Sequence, residues 1–152
     1  MSVLIKRLLN LALGELAASV SFVVVYHLYA DWGGSSQLAL YFLVFQLLQG
    51  AAYWIYRART IGREPSPVAR GILTLMRRGN LISAVIAVPW IVTLAESRTD
   101  MAAGFLIYAF AVIEYVNYYW YRLSYGKSGF NMAMLLRAGL RPSSIHKLLQ
   151  RG

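Results

Sequence analysis

Glu114, Asn117, Tyr118, Tyr121, Arg122 and Tyr125 stand at relative positions 0, 3, 4, 7, 8 and 11. On a 3.6-residue period this puts a carboxylate, an amide, three phenols and a guanidinium on one helical face. A second face repeats the idea with Gln46, Gln49, Gly50, Tyr53 and Arg57 at 0, 3, 4, 7 and 11. Glu15 and Asn80 complete the set of polar groups embedded in apolar sequence. Such groups can transfer protons, hold a cation, or simply hydrogen-bond to one another.

An ionised carboxylate inside a bilayer costs about 2.5–3.5 kcal/mol, so Glu15 and Glu114 are expected to face the interior of a helix bundle. Their pocket would be polar only in one half, because Phe110, Ala111, Ile107 and Ala103 continue the Glu114 face with apolar groups. No polar path to the other side completes itself. The expectation is therefore a structural network of Glu15, Gln46, Gln49, Tyr53, Asn80, Glu114, Asn117, Tyr118 and Arg122 that locks helices in register. The alternative is a proton- or cation-coupled transporter or channel component using Glu114 and Glu15.

Other chemistries are excluded or unsupported by residue content. There is no cysteine, which removes disulfides, thiolate catalysis and cysteine metal sites. His27 and His146 are the only histidines and lie far apart. No phosphate-cradling glycine loop and no His-Glu-x-x-His pattern occurs. The chain is read as non-enzymatic, without metal or cofactor.

The elements that must position these groups follow from composition. Hydrophobic residues make up 59% of the 152 and charged residues 14%, against roughly 25% charged in soluble domains. Four stretches approach the roughly 20 apolar residues a spanning helix needs: 8–30, 38–56, 81–95 and 101–121. The third is short, contains Pro89, and must recruit its flanks. The first is too long for a cleaved signal and is interrupted by Glu15. Trp32, Trp54, Trp90 and Trp120 fall near span ends, as an interfacial aromatic belt requires.

Basic residues set the orientation. Of 15 Lys and Arg, all but Arg98 fall on one side of this four-pass arrangement. The positive-inside rule makes that side cytosolic, with both termini there. The expected location is the bacterial cytoplasmic membrane. The excess of +9 charges then points to anionic phospholipid and not to nucleic acid. Arg57, Arg59, Arg70, Arg77, Arg78, Arg137, Arg141 and Lys147 are the expected headgroup-binding residues.

Between spans two and three, Glu64-Pro65-Ser66-Pro67 interrupts helix, and 68–78 reads as an amphipathic helix lying in the interface. The bundle is expected over 1–125 and a basic amphipathic cytosolic tail over 126–152. In that tail Pro142 opens a helix through Ile145, Leu148 and Leu149.

A repeat links the halves. Gln49-x3-Tyr53-x2-Tyr56-Arg57 matches Glu114-x3-Tyr118-x2-Tyr121-Arg122 at an offset of 65. The expected fold is an all-α integral membrane protein: a four-transmembrane-helix bundle of two parallel hairpin repeats with cytosolic amphipathic interfacial helices. The expected role is an accessory or binding subunit that engages anionic lipid and either another membrane protein, in a larger membrane complex, or itself as a homo-oligomer.

Overall fold

A computed structural model describes residues 2–29, 33–123 and 141–150. Its elements are α1 (Ser2–Tyr29), α2 (Gly34–Arg59), α3 (Pro67–Thr93), α4 (Arg98–Tyr119), a two-residue ladder of β1 (Tyr121–Arg122) with β2 (Arg141–Pro142), and α5 (Ser144–Gln150). Helices α1 to α4 are each long and apolar enough to cross a membrane. The fold is thus all-helical apart from that ladder, and consistent with a multi-pass membrane protein. Leu13, Val20, Leu28, Leu75, Val85 and Leu106 are more than half exposed on the outside of the bundle, an apolar surface of the kind a membrane covers.

Helix α2 is the central element. Half of its most apolar stretch is buried, against 11% for α1 and 22% for α3 and for α4. It packs most extensively on α1 and α4, whereas α3 touches the others more sparingly. Helices α2 and α4 run parallel and approach closely at two levels. A Cβ on Gly104 would collide with the Ser35 hydroxyl and stand 3.1 Å from the Ser35 backbone carbonyl. A Cβ on Gly50 would meet the Tyr118 ring at 2.7 Å. Glycine at both levels is what lets the two backbones come together.

Three boundaries depart from the sequence expectation. The interfacial helix 68–78 and the span 81–95 are one continuous helix, α3, capped by the Ser66 hydroxyl on the Ala69 N–H at 3.2 Å and opened by Pro67. Gly79-Asn80 does not break it because the Asn80 side chain is buried and satisfied from α2. Its 27 residues extend about 40 Å, longer than the roughly 30 Å hydrocarbon core of a bilayer. Second, α4 stops at Tyr119. Trp120 leaves helical geometry (φ −124°, ψ −72°) and its carbonyl accepts the Ser143 N–H at 3.0 Å, which commits Tyr121 and Arg122 to the ladder. Tyr121 and Arg122 therefore do not continue the Glu114 face, and Tyr125 lies outside the described residues.

The third concerns the tail. Ile145 and Leu148 of α5 are buried against Tyr53, Leu73, Tyr115, Tyr118 and Tyr119. The apolar side of α5 thus docks on the bundle and not on lipid, because four aromatic rings at the ends of α2 and α4 offer it a drier surface than the interface does. Residues 124–140, among them Arg137 of the expected tail, lie outside the described residues.

Candidate functional site

The polar residues do not form one network. They separate into four groups at different places in the bundle.

Gln49, Asn80 and Tyr119 tie α2, α3 and α4 together. Gln49 Nε2 donates to Asn80 Oδ1 at 3.1 Å, and Asn80 Nδ2 donates back to Gln49 Oε1 at 2.7 Å. The Tyr119 hydroxyl donates to the same Gln49 oxygen at 2.7 Å. All three side chains are buried, and reciprocal amide pairing satisfies each where water is absent. Tyr119 was not anticipated, since it lies off the face defined by Glu114.

Gln46 stands alone. It is fully buried, and neither of its amide atoms has a hydrogen-bond partner. On α2 it falls between Leu43 and Leu47, which with Ala111 pack against Ala18, Phe42 and Ile107 into an apolar layer.

The third group closes the end opposite the basic residues. Asp100 is completely buried there, so buried polar groups are not confined to the half that holds Glu15 and Glu114. Its carboxylate accepts the N–H groups of Ser35 (3.1 Å), Ser36 (2.9 Å) and Glu96 (3.2 Å). Its own N–H donates to the Ser97 hydroxyl at 3.0 Å. One carboxylate thereby neutralises orphan donors at the start of α2, where the helix dipole also favours a negative charge. Glu96 adds a contact from the Gly34 N–H at 3.2 Å, and the Tyr26 hydroxyl meets Ser36 Oγ at 3.0 Å from α1. Gly33 enters this cap at φ 134°, and a Cβ there would stand 2.9 Å from Asp100 Oδ2. Ser97-x-x-Asp100 has the spacing of a helix-capping pair, a signal present in the sequence.

The fourth group lines a cavity. Phe22 of α1 meets Phe110 of α4 with ring centroids 5.6 Å apart, but toward the basic end these helices diverge. The gap, about 610 Å³, is bounded by Leu4, Arg7, Leu8, Leu11 and Glu15 of α1, by Tyr53 and Trp54, by Asn117, Tyr118 and Arg122, and by Arg141 to Ile145 with Lys147. Its rim is basic. Arg7, Arg122, Arg141 and Lys147 come from three separate parts of the chain and are all exposed. The ladder sets Arg122 opposite Arg141, and like charges directly opposite across strands repel. Arg7 was not among the anticipated site residues, yet Leu4, Arg7, Leu8, Leu11 and Glu15 share one face of α1 by their spacing.

The floor of this cavity is different. The Glu15 carboxyl interacts with the Tyr118 hydroxyl and the Trp54 indole and lies within Coulomb range of Glu114. Tyr118 is 5% exposed, and neither its hydroxyl nor the Trp54 Nε1 has a well-formed hydrogen bond. Glu114 sits behind Asn117, whose Nδ2 donates to Glu114 Oε2 at 3.3 Å and whose Oδ1 accepts the Leu123 N–H at 2.9 Å. Tyr53 belongs to neither tier: its hydroxyl meets Ser144 Oγ at 2.6 Å and pins α5 to α2.

The remaining basic residues are placed as follows. Arg70 pairs with Glu64 at 3.6 Å, and Arg77 lies 3.7 Å over the Trp120 ring. Arg59 and Arg78 are exposed and Arg57 is half-buried. Among the described residues no group of three or more His, Cys, Asp or Glu is placed to hold a metal ion. No family model, curated protein or solved structure matches the chain.

Proposed function

We propose that this chain is a non-enzymatic multi-pass membrane protein that binds anionic lipid at its basic end and serves as a binding or accessory subunit. The observation that supports this reading is the cavity rim, where Arg7, Arg122, Arg141 and Lys147 converge on one opening. The chain has six acidic residues in all. Glu96 and Asp100 are engaged at the opposite end and Glu64 pairs with Arg70. Among the described residues only Glu15 and Glu114 stand near the cavity. Four basic side chains around one opening favour an anion there, and at a membrane surface anionic headgroups are the abundant source.

The finer architecture belongs to the same reading. Both termini and the 60–66 connection share the basic end, which the positive-inside rule assigns to the cytosol of a bacterial cell membrane. Two hairpin repeats account for the offset of 65 between the Tyr53 and Tyr118 motifs, with the parallel pair α2 and α4 at their junction. The first turns of α3, with Arg70, Arg77 and Arg78, lie among headgroups.

The test is lipid retention by the purified protein. Native mass spectrometry should show anionic lipid retained in preference to phosphatidylcholine, and Arg7→Gln with Lys147→Gln should weaken it. Each basic residue near such a surface contributes about 1 kcal/mol, less as salt rises. Equal retention of both lipid classes sinks the reading. Reporter fusions after Arg63 should report cytosol; a periplasmic signal there overturns the orientation.

A second reading, proton or cation coupling, is favoured by one observation: Glu15 and Glu114 approach within Coulomb range. The apolar layer around Gln46 argues against a through path. A stable Glu114→Gln variant that loses a measurable ion flux in proteoliposomes would promote this reading over the first.

A further inference from the structure

Resting on the anion-binding reading above, we infer that the cavity recognises a phosphate ester that carries free hydroxyl groups, with the phosphate at the basic rim and the hydroxyls at the Glu15 floor.

The two tiers demand different chemistry. The rim offers positive charge from Arg7, Arg122, Arg141 and Lys147 and attracts a phosphate. The floor offers one acceptor, the Glu15 carboxylate, beside two donors without a well-formed bond, Tyr118 Oη and Trp54 Nε1. The Tyr118 side chain is 5% exposed and lines the cavity, so its hydroxyl is withdrawn from bulk water while its approach to Glu15 falls short of a well-formed hydrogen bond. Buried polar groups are ordinarily paired, and an orphan at a cavity wall calls for an occupant.

A hydroxyl fits this floor because it both donates and accepts. It can donate to Glu15 while accepting from Tyr118 or Trp54. A primary ammonium donates only, which leaves both protein donors orphaned. A quaternary ammonium offers neither. The spacing also suits a phosphorylated polyol. Arg7 and Glu15 are eight residues apart on one face of α1, about 12 Å along the axis. The Arg7 side chain, reaching inward, leaves room for a phosphate with one glycerol- or sugar-sized group below it. The Leu8 and Leu11 side chains between them line the passage and contribute no competing polar contact.

Such a phosphate ester has two sources, a lipid headgroup such as phosphatidylglycerol or a free polyol phosphate entering from the aqueous side. The full-length protein in detergent is offered phosphatidylglycerol, phosphatidic acid and phosphatidylethanolamine in native mass spectrometry, and glycerol 3-phosphate and inorganic phosphate in calorimetry. Phosphatidylglycerol should be retained over phosphatidic acid, which lacks the extra hydroxyls. Tyr118→Phe and Glu15→Leu should each reduce that preference about 3- to 10-fold, the equivalent of one hydrogen bond. Because the Tyr118 hydroxyl makes no well-formed bond within the protein, Tyr118→Phe should keep its thermal midpoint, and that measurement guards against loss of fold. Glycerol 3-phosphate binding ahead of inorganic phosphate, with lipids bound equally, supports the site and assigns it to the soluble source. Equal retention of phosphatidylglycerol and phosphatidic acid together with equal binding of the two free phosphates overturns the inference while the anion-binding rim survives. An unchanged preference in Tyr118→Phe and Glu15→Leu also overturns it. Loss of preference for any anion removes both readings at once.

Discussion

The carboxylate of Asp100 accepts the backbone N–H of Ser36 at 2.9 Å, across 64 residues of sequence. This contact, with those from Ser35 and Glu96 to the same carboxylate, joins the first turn of α4 to the first turn of α2. It sets the height at which the two parallel helices pack and thus the level at which Gly50 meets Tyr118 farther down.

Asp100→Ala should therefore destabilise the protein by about 2–4 kcal/mol, since it strands two buried N–H donors and a third that is partly buried. Asp100→Asn retains one acceptor oxygen and should cost less. The thermal midpoint in detergent measures both, and an unshifted midpoint for Asp100→Ala would remove the cap from the account of the fold.

Gly104 should be the less tolerant of the two α2–α4 glycines. Its missing Cβ faces the Ser35 backbone, which cannot swing aside, while Gly50 faces a Tyr ring that can. Gly104→Ala should cost about 1–3 kcal/mol by overpacking, and Gly50→Ala less. The reverse order of midpoints would contradict the packing described.

Gln46 makes the opposite prediction. A fully buried amide with no partner carries an uncompensated desolvation cost of about 1–3 kcal/mol. Gln46→Met has similar length and no donors, so it should raise the midpoint. A lower midpoint would mean that Gln46 has a partner in the membrane, most simply a water.

The Gln49–Asn80–Tyr119 group should behave as a unit. Tyr119→Phe and Asn80→Leu each remove a bond to Gln49 Oε1, and each should cost about 0.5–1.5 kcal/mol. The double variant should depart from the sum of the two, because both act on one oxygen. Strict additivity would show that the three side chains do not share that acceptor.

The apolar runs and their length determined from sequence alone that this chain makes four helices long and apolar enough to cross a membrane, because helix is the conformation that satisfies every backbone group within an apolar run of that length. The polarity of the Glu15, Gln49 and Glu114 faces was legible for the same reason, since helical periodicity is local. How those faces pair was not. Periodicity places Glu114 and Gln49 on equivalent faces, but only packing decides that Gln49 turns to Asn80 and Tyr119, that Gln46 finds nothing, and that Glu15 closes a cavity with Tyr118 and Trp54. The Ser97-x-x-Asp100 spacing marks the start of α4, but that the Asp100 carboxylate is buried by backbone donors at the start of α2 is decided only by packing. The break at Trp120 and the docking of α5 likewise depend on Ser143, Ile145 and Leu148 reaching a surface made by three distant helices. Local sequence carries propensity and hydropathy; the cavity, its basic rim and its hydrogen-bonding floor exist only where α1, α2, α4 and the tail meet.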